Sequence, residues 1–314
     1  MRKIQSLPVG LVAGLFLCLT AKSGFAGDLS DGGAAAELAG SSSSGCPQNA
    51  DGTFCWMSPD IGQAWASGYT GSGVSVTIVD DFTSNNEVEA DLGLGPKSQP
   101  HGKWVAEIAG MVAPGANMSE HDYNYGIPLS LQDGLNVVNL SYASLGPADL
   151  DPVEKSIVDV AWAGTAFIAK SAGNHNIRIG TGENGESDFL ALELMGAPTT
   201  IFVGALDHNG TPENKAKLAS YSNYPGLIPE LQNQFLTVGV EDDKTGLRGT
   251  SYGAPVISGY AAILGSKFTT ATPIQISNQL LDTARTDTIV NYDPETYGRG
   301  EASLSRALAP ISIR

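Results

Sequence analysis

The chain is poor in cysteine, in positive charge and in long apolar runs. Only three of its 314 residues are cysteine and four are histidine, and 17 Lys and Arg face 33 Asp and Glu. No His or Cys cluster has zinc spacing and no C-x-x-C redox pair occurs. The formal net charge of −16 repels nucleic acid and anionic lipid. It serves solubility and selects no substrate. Past the first 26 residues no apolar stretch approaches the roughly 20 residues that cross a bilayer, so the mature chain is expected to be soluble, off the membrane and monomeric. The length is ample for a buried core, as one large domain or two small ones.

What is present begins with an export signal. Arg2 and Lys3 precede the apolar run Leu7 to Ala21, and Gly24-Phe25-Ala26 sets small residues where a signal peptidase reads. Residues 1–26 are therefore expected to be a cleaved signal peptide, which makes the protein secreted or periplasmic. Cys18 follows Leu17 rather than a small residue, so it leaves with that peptide. Losing Arg2, Lys3 and Lys22 takes the charge from −16 to −19. Residues 27–55 read as a flexible Gly/Ser-rich leader, marked by Ser41-Ser42-Ser43-Ser44-Gly45. Within it, Cys46 and Cys55 are expected to pair in an oxidising compartment. The domain proper is assigned to 56–314.

Periodicity supplies the architecture. The β-branched run Val74 to Val79 reads as a buried strand ending at Asp80-Asp81, and Val137 to Ser141, Thr165 to Lys170, Thr200 to Gly204 and Phe235 to Gly239 read likewise. Helical spacing separates them at 61–65, 101–112, 153–163 and 273–284. After Ser251 the apolar positions 256, 257, 260, 261 and 264 predict a helix with one buried face. This alternation predicts an α/β fold, a mainly parallel central sheet with helices on both faces.

Four candidate residues fall at element ends: Asp80 after a strand, His101 before a helix, Asn174 after a strand and Ser251 before a helix. A serine hydrolase needs a base for its hydroxyl proton, an acid to hold the base, and donors for the oxyanion. The blocks Val76-Thr77-Ile78-Val79-Asp80, His101-Gly102-x-x-Val105-Ala106, Ala172-Gly173-Asn174 and Gly249-Thr250-Ser251-x-x-x-Pro255 resemble, in order, those of the subtilisin-like serine proteases (subtilases, peptidase S8). The likeness runs from about residue 60 to the end. It implies a serine endopeptidase acting on protein or peptide substrates through an acyl-enzyme, with Asp80, His101 and Ser251 as triad and Asn174 in the oxyanion hole. Asp81 is the rival to Asp80, and register with the family's apolar positions favours Asp80. The resemblance also makes Ser141, Tyr142, Ala143 and Gly173 substrate-binding. Ala143 stands where the family has glycine, which narrows the pocket toward small or medium P1 side chains.

Three departures qualify the likeness. Lys103-Trp104 replaces the family's Thr-His, which implies altered packing. The stretch from Val112 to Asn139 is short, which deletes the loop that often carries calcium; no cofactor is required, no metal ligands are assigned and a structural calcium is unsupported. Residues 27 to about 55 are too few for a folded pro-domain. Two other readings compete: an inactive binding module on the same fold, and an acid-active Ser-Glu-Asp peptidase in which Glu107 serves in place of His101.

Overall fold

The computed structural model describes residues 46–145, 150–181 and 186–313. The expected signal peptide and the leader up to residue 45 lie outside the described residues. Among the described residues eight strands are present: β1 (Ser75–Asp80), β2 (Glu87–Ala90), β3 (Lys97–Pro100), β4 (Asn117–Asp122), β5 (Asn136–Leu140), β6 (Phe167–Ser171), β7 (Thr200–Leu206) and β8 (Phe235–Gly239). Six of them form one parallel sheet in the order β4-β1-β5-β6-β7-β8, and β2 and β3 make a separate antiparallel hairpin. The helices are α1 (Pro59–Ala66), α2 (His101–Val112), α3 (Pro152–Trp162), α4 (Phe189–Leu194), α5 (Pro229–Asn233), α6 (Asp242–Thr245), α7 (Ala254–Lys267), α8 (Pro273–Asp282), α9 (Pro294–Tyr297) and α10 (Leu304–Leu308). None of the described helices is long and apolar enough to cross a membrane.

Strands β5 to β8 are buried along their whole length, because helices cover both faces of a parallel sheet. Successive side chains alternate between two cores. Val76, Ile78, Val137, Phe167 and Ala169 pack with α2 and α7 on one side. Val79, Val138, Leu140 and Ile168 pack with α3 and α4 on the other. Local chemistry sets several helix starts: Asp151 and Glu154 form a reciprocal capping box on α3, as Thr272 and Gln275 do on α8, each with proline in the first turn.

Two expectations change. Helix α7 has no solvent face at all over Ala254 to Gly265, since α2, α8, α10 and the sheet surround it. A helix apolar on all sides is a central one, and small residues allow the approach: a Cβ on Gly259 would lie 2.4 Å from Val112 Cγ1. The leader also ends earlier than residue 55. Cys46 and Cys55 are disulfide-bonded, 5.4 Å apart at Cα, and Cys46, Phe54, Trp56 and Met57 are buried in the first core. Trp56 Nε1 donates to the Leu92 carbonyl at 3.0 Å, and Asn209 Nδ2 to the Trp56 carbonyl at 3.0 Å. Four buried apolar side chains in twelve residues, two of them aromatic where the Gly/Ser-rich tract before has no aromatic residue, account for the difference.

Topology locates the crevice. The chain leaves β1 for β4 on one side and returns to β5 on the other, so the sheet order reverses between β1 and β5. Ligands bind at the carboxyl ends of the strands at such a switch point. Asp80 and Ser141 lie there.

Candidate active site

Asp80 closes β1 and is buried, and His101 opens α2 directly after β3. Gly102 makes their approach possible: its N–H donates to the Asp81 carbonyl at 3.1 Å, and a Cβ there would sit 2.7 Å from that oxygen. His101 Nδ1 then meets Asp80 Oδ1 at 2.8 Å. A carboxylate only accepts, so Nδ1 carries a proton, and in the neutral imidazole Nε2 keeps its lone pair. Asp80 Oδ1 also accepts from the Asp81 N–H at 2.8 Å. Asp81 itself turns away, with Oδ1 accepting from the N–H groups of Thr83 and Ser84 at 3.0 and 2.9 Å. Burial works against a charged imidazole here. The Asp80 charge and hydrogen bond, with Asp81 behind them, outweigh that and hold the His101 pKa above its ordinary value.

Ser251 lies in a 3₁₀ turn, Thr250–Tyr252, that leads into α7. Gly249 before it has φ +146°, a backbone setting that favours glycine. The Tyr252 ring stands 5.6 Å from the His101 ring, centroid to centroid. This contact holds the turn against the imidazole. The Ser251 hydroxyl donates to the Ser141 carbonyl at 3.0 Å, and no hydrogen bond joins it to His101.

Asn174 follows β6 on an exposed loop. Its Oδ1 accepts from both the N–H and the hydroxyl of Thr250, at 2.8 and 3.0 Å. With the oxygen held, the amide N–H₂ faces away from Thr250 as a donor. Gly173 has φ +104° and gives its N–H to Thr250 Oγ1 at 3.1 Å. Asn223 braces the same loop, accepting at Oδ1 from His175 and Ile177 N–H at 3.0 and 3.1 Å. Across the crevice Ser141 is buried, Tyr142 lies with its ring 4.8 Å from that of Tyr123, and Ala143 is exposed.

Sequence reasoning missed Thr250, Tyr252 and Asn223 as parts of the site. Thr250 stood inside the Gly-Thr-Ser block, but its grip on Asn174 is a contact across 76 residues. The Lys103-Trp104 departure has a packing role: Trp104 is fully buried and donates from Nε1 to the Val88 carbonyl at 2.8 Å, while Lys103 pairs with Glu120 at 2.6 Å. Glu107 is engaged elsewhere, with Lys97 at 2.7 Å and Gln99 Nε2 at 3.0 Å. Among the described residues no group of three or more His, Cys, Asp or Glu is arranged to hold a metal ion.

The subtilase family (Peptidase_S8) model matches residues 71–300. The chain belongs to the subtilase family. It is 26% identical over 238 residues to subtilisin DY of Bacillus licheniformis, covering 76% of this chain and 78% of that protein. Against subtilisin E of Bacillus subtilis strain 168 it is 26% identical over 251 residues, covering 70% of this chain and 62% of that longer protein. The prenylagaramide maturation protease PagA superimposes with a TM-score of 0.56 at 19% identity, over 80% of this chain and 98% of that one. A protease from Pseudoalteromonas arctica PAMC 21717 gives a TM-score of 0.55 at 18% identity, over 80% and 93%. The solved structures share the fold, an α/β parallel sheet. Family membership supports the class of serine protease for this subtilase.

Proposed function

We propose that this subtilase is an exported serine endopeptidase using Asp80, His101 and Ser251 as its triad. Ser251 Oγ leaves the Ser141 carbonyl by rotation about its Cα–Cβ bond and attacks a substrate carbonyl as His101 Nε2 takes its proton. Asp80 keeps the imidazole in the Nδ1–H tautomer and stabilises the imidazolium without accepting the proton. The Asn174 amide and the Ser251 N–H bind the oxyanion. His101 returns the proton to the amine nitrogen as the C–N bond breaks, and a water molecule then hydrolyses the Ser251 ester. Ser141, Tyr142, Ala143 and Gly173 line the bound peptide. The Arg2-to-Ala26 signal supports export to the periplasm or beyond. No metal or other cofactor enters any step.

One observation above all supports this reading: the 2.8 Å bond from Nδ1 to Asp80 sets the tautomer, so that the neutral imidazole keeps its lone pair on Nε2, with Ser251's neighbour Tyr252 in ring contact. The inactive binding module draws on the Ser251 hydroxyl being engaged by Ser141. A fluorophosphonate probe and a mixed peptide library separate the two. We expect labelling and cleavage by the purified protein and neither by Ser251→Ala. Labelling that survives Ser251→Ala would refute the nucleophile, and an intact library with unlabelled protein would favour the binding module.

A further inference from the structure

Strands β5 and β6 run side by side as far as Leu140 and Lys170, the last pair of their ladder. Beyond it the two segments take different partners: the Ala172 N–H goes to the Val203 carbonyl, and the Ser144 carbonyl accepts from the Phe189 N–H, at 3.0 Å each. The serine turn spans this fork. Ser251 Oγ reaches the Ser141 carbonyl at 3.0 Å on one side, and Thr250 Oγ1 accepts from the Gly173 N–H at 3.1 Å on the other. That turn leads into α7, which packs on one face of the sheet. Lys170 points to the opposite face with Leu140 and Ile168, since side chains two apart on a strand share a face. It is fully buried, and no step above uses it.

One carboxylate ties the fork together on that face. Lys170 Nζ donates to Asp188 Oδ2 at 3.2 Å and to the Ser171 carbonyl at 3.0 Å. Asp188, also buried, accepts at Oδ1 from the Ser144 N–H and from the Ala191 N–H of α4, both at 3.2 Å. Every donor here is an ammonium or a main-chain N–H and every acceptor a carboxylate or carbonyl oxygen, so the direction of each bond is fixed. Two charges taken out of water contribute little net stability, and apolar residues of similar volume often serve a fold as well. What a matched buried set supplies is position. This one sets the end of β6, at Lys170 and Ser171, against the segment after β5, at Ser144.

We propose that Lys170 and Asp188 are positioning residues for P1 selection: their buried ion pair fixes the spacing of the two walls, residues 141–144 and 171–174, between which the P1 side chain enters. The inference rests on the reading of Ser251 as nucleophile and deepens it, from peptide hydrolysis to the choice of peptide. Both residues are buried and act through the walls. Released from Asp188, the wall at Ser144 gives way and the slot admits larger side chains.

The test is the ratio of kcat/KM for Phe over Ala at P1 on matched peptides, read beside thermal midpoints and the rate of labelling by a small alkyl fluorophosphonate that carries no P1 side chain. Purified wild type, Lys170→Met and the double variant Lys170→Met/Asp188→Leu are compared. Lys170→Met leaves the Asp188 carboxylate buried without its cation and should lower the midpoint. The double variant removes both charges and should recover most of it, so it decides the matter even where the single variant fails to fold. In both, the Phe over Ala ratio is expected to rise about tenfold, while the labelling rate stays at the wild-type value because the triad is untouched. A structural role alone would move the midpoint of the single variant and leave the ratio where it was. A wild-type ratio in the double variant would overturn the inference while leaving the nucleophile intact, and so would a loss of labelling that matches equal losses on both peptides. A wild type that is neither labelled nor able to cleave either peptide would overturn both.

Discussion

Ser251 and Ser141 are joined twice: the Ser251 hydroxyl donates to the Ser141 carbonyl at 3.0 Å, and the Ser141 hydroxyl to the Ser251 carbonyl at 2.8 Å. The pair spans 110 residues of sequence and locks the end of β5 to the head of α7. It also holds the serine proton away from His101 in the absence of substrate. In the proposed mechanism the resting hydroxyl is therefore parked on a main-chain oxygen, and the imidazole waits with Nε2 free. What the imidazole contributes then depends on Asp80.

Asp80→Asn keeps the side chain's shape and removes its charge. The amide can donate to Nδ1 and thereby impose the wrong tautomer, so kcat is expected to fall by about 10⁴-fold, as for that replacement in the Ser-His-Asp template. The pH profile carries a second signature. Activity requires neutral His101, whose pKa the Asp80 charge holds above 6.5 against the pull of burial. Wild-type activity should therefore rise with pH only above that value. Without the charge, burial dominates and the residual activity of Asp80→Asn should rise at lower pH. Stopped assays from pH 5 to 9 measure both limbs, and coincident limbs would remove Asp80 from this role.

Thr250→Val tests the orientation of Asn174. Valine matches threonine in shape but removes the hydroxyl that donates to Asn174 Oδ1 and accepts from Gly173 N–H. The amide then rests on the residue 250 N–H alone. A fall in kcat of about tenfold with little change in KM is expected. A peptide boronate, which forms a tetrahedral adduct, should lose affinity in proportion. Unchanged boronate binding would mean that Asn174 needs no such support.

Much of this was legible in the sequence, and the parts that were not share a cause. The strand before Asp80 and the helix after His101 announced themselves, because each is a long, buried run whose period reports its partner surface. Strand β4 went unnoticed: Asn117-Met118-Ser119-Glu120-His121-Asp122 lies at the sheet edge with only Asp122 buried, and edge strands are commonly polar. Glu87–Ala90 escaped for the same reason. Asp80, His101, Asn174 and Ser251 were singled out by their places at element ends. Thr250, Tyr252 and Asn223 act through contacts between distant segments, and no local pattern encodes those.

The disulfide-closed segment predicts a local loss of stability. Its cysteines are nine residues apart, and closing so short a loop stabilises by about 2 kcal/mol. Cys46→Ser/Cys55→Ser should therefore lower the thermal midpoint by about 5 °C. Hydrogen exchange should speed up over residues 46–57, where Trp56 and Phe54 lose their anchor. Exchange that accelerates evenly through β5 to β8 instead would deny the segment a separate contribution.

Ala143→Gly asks whether the side chain at this exposed position narrows the P1 pocket. Removing one methyl from a pocket wall is worth about tenfold or more in discrimination. The ratio of kcat/KM for Phe over Ala at P1, measured on matched peptides, should rise about tenfold in the glycine variant. Parallel changes for both peptides would place the wall elsewhere.

Glu301 sets a pH dependence of stability that has nothing to do with catalysis. It is buried, its Oε1 accepts from the Gly210 N–H at 2.9 Å, and Arg285 stands 3.5 Å from Oε2. Burial raises its pKa above 4.5 in spite of help from Thr288, Gly210 and Arg285. The folded protein therefore binds this proton more tightly than the unfolded chain does. The resulting stabilisation is fully present below the unfolded value and fades as pH rises through the folded one. Glutamine keeps the shape and never ionises. The stability of wild type relative to Glu301→Gln should thus fall as pH is raised from 4 toward 7, as read by denaturant midpoints at each pH. A constant difference between the two proteins over that range would show that Glu301 ionises as easily folded as unfolded.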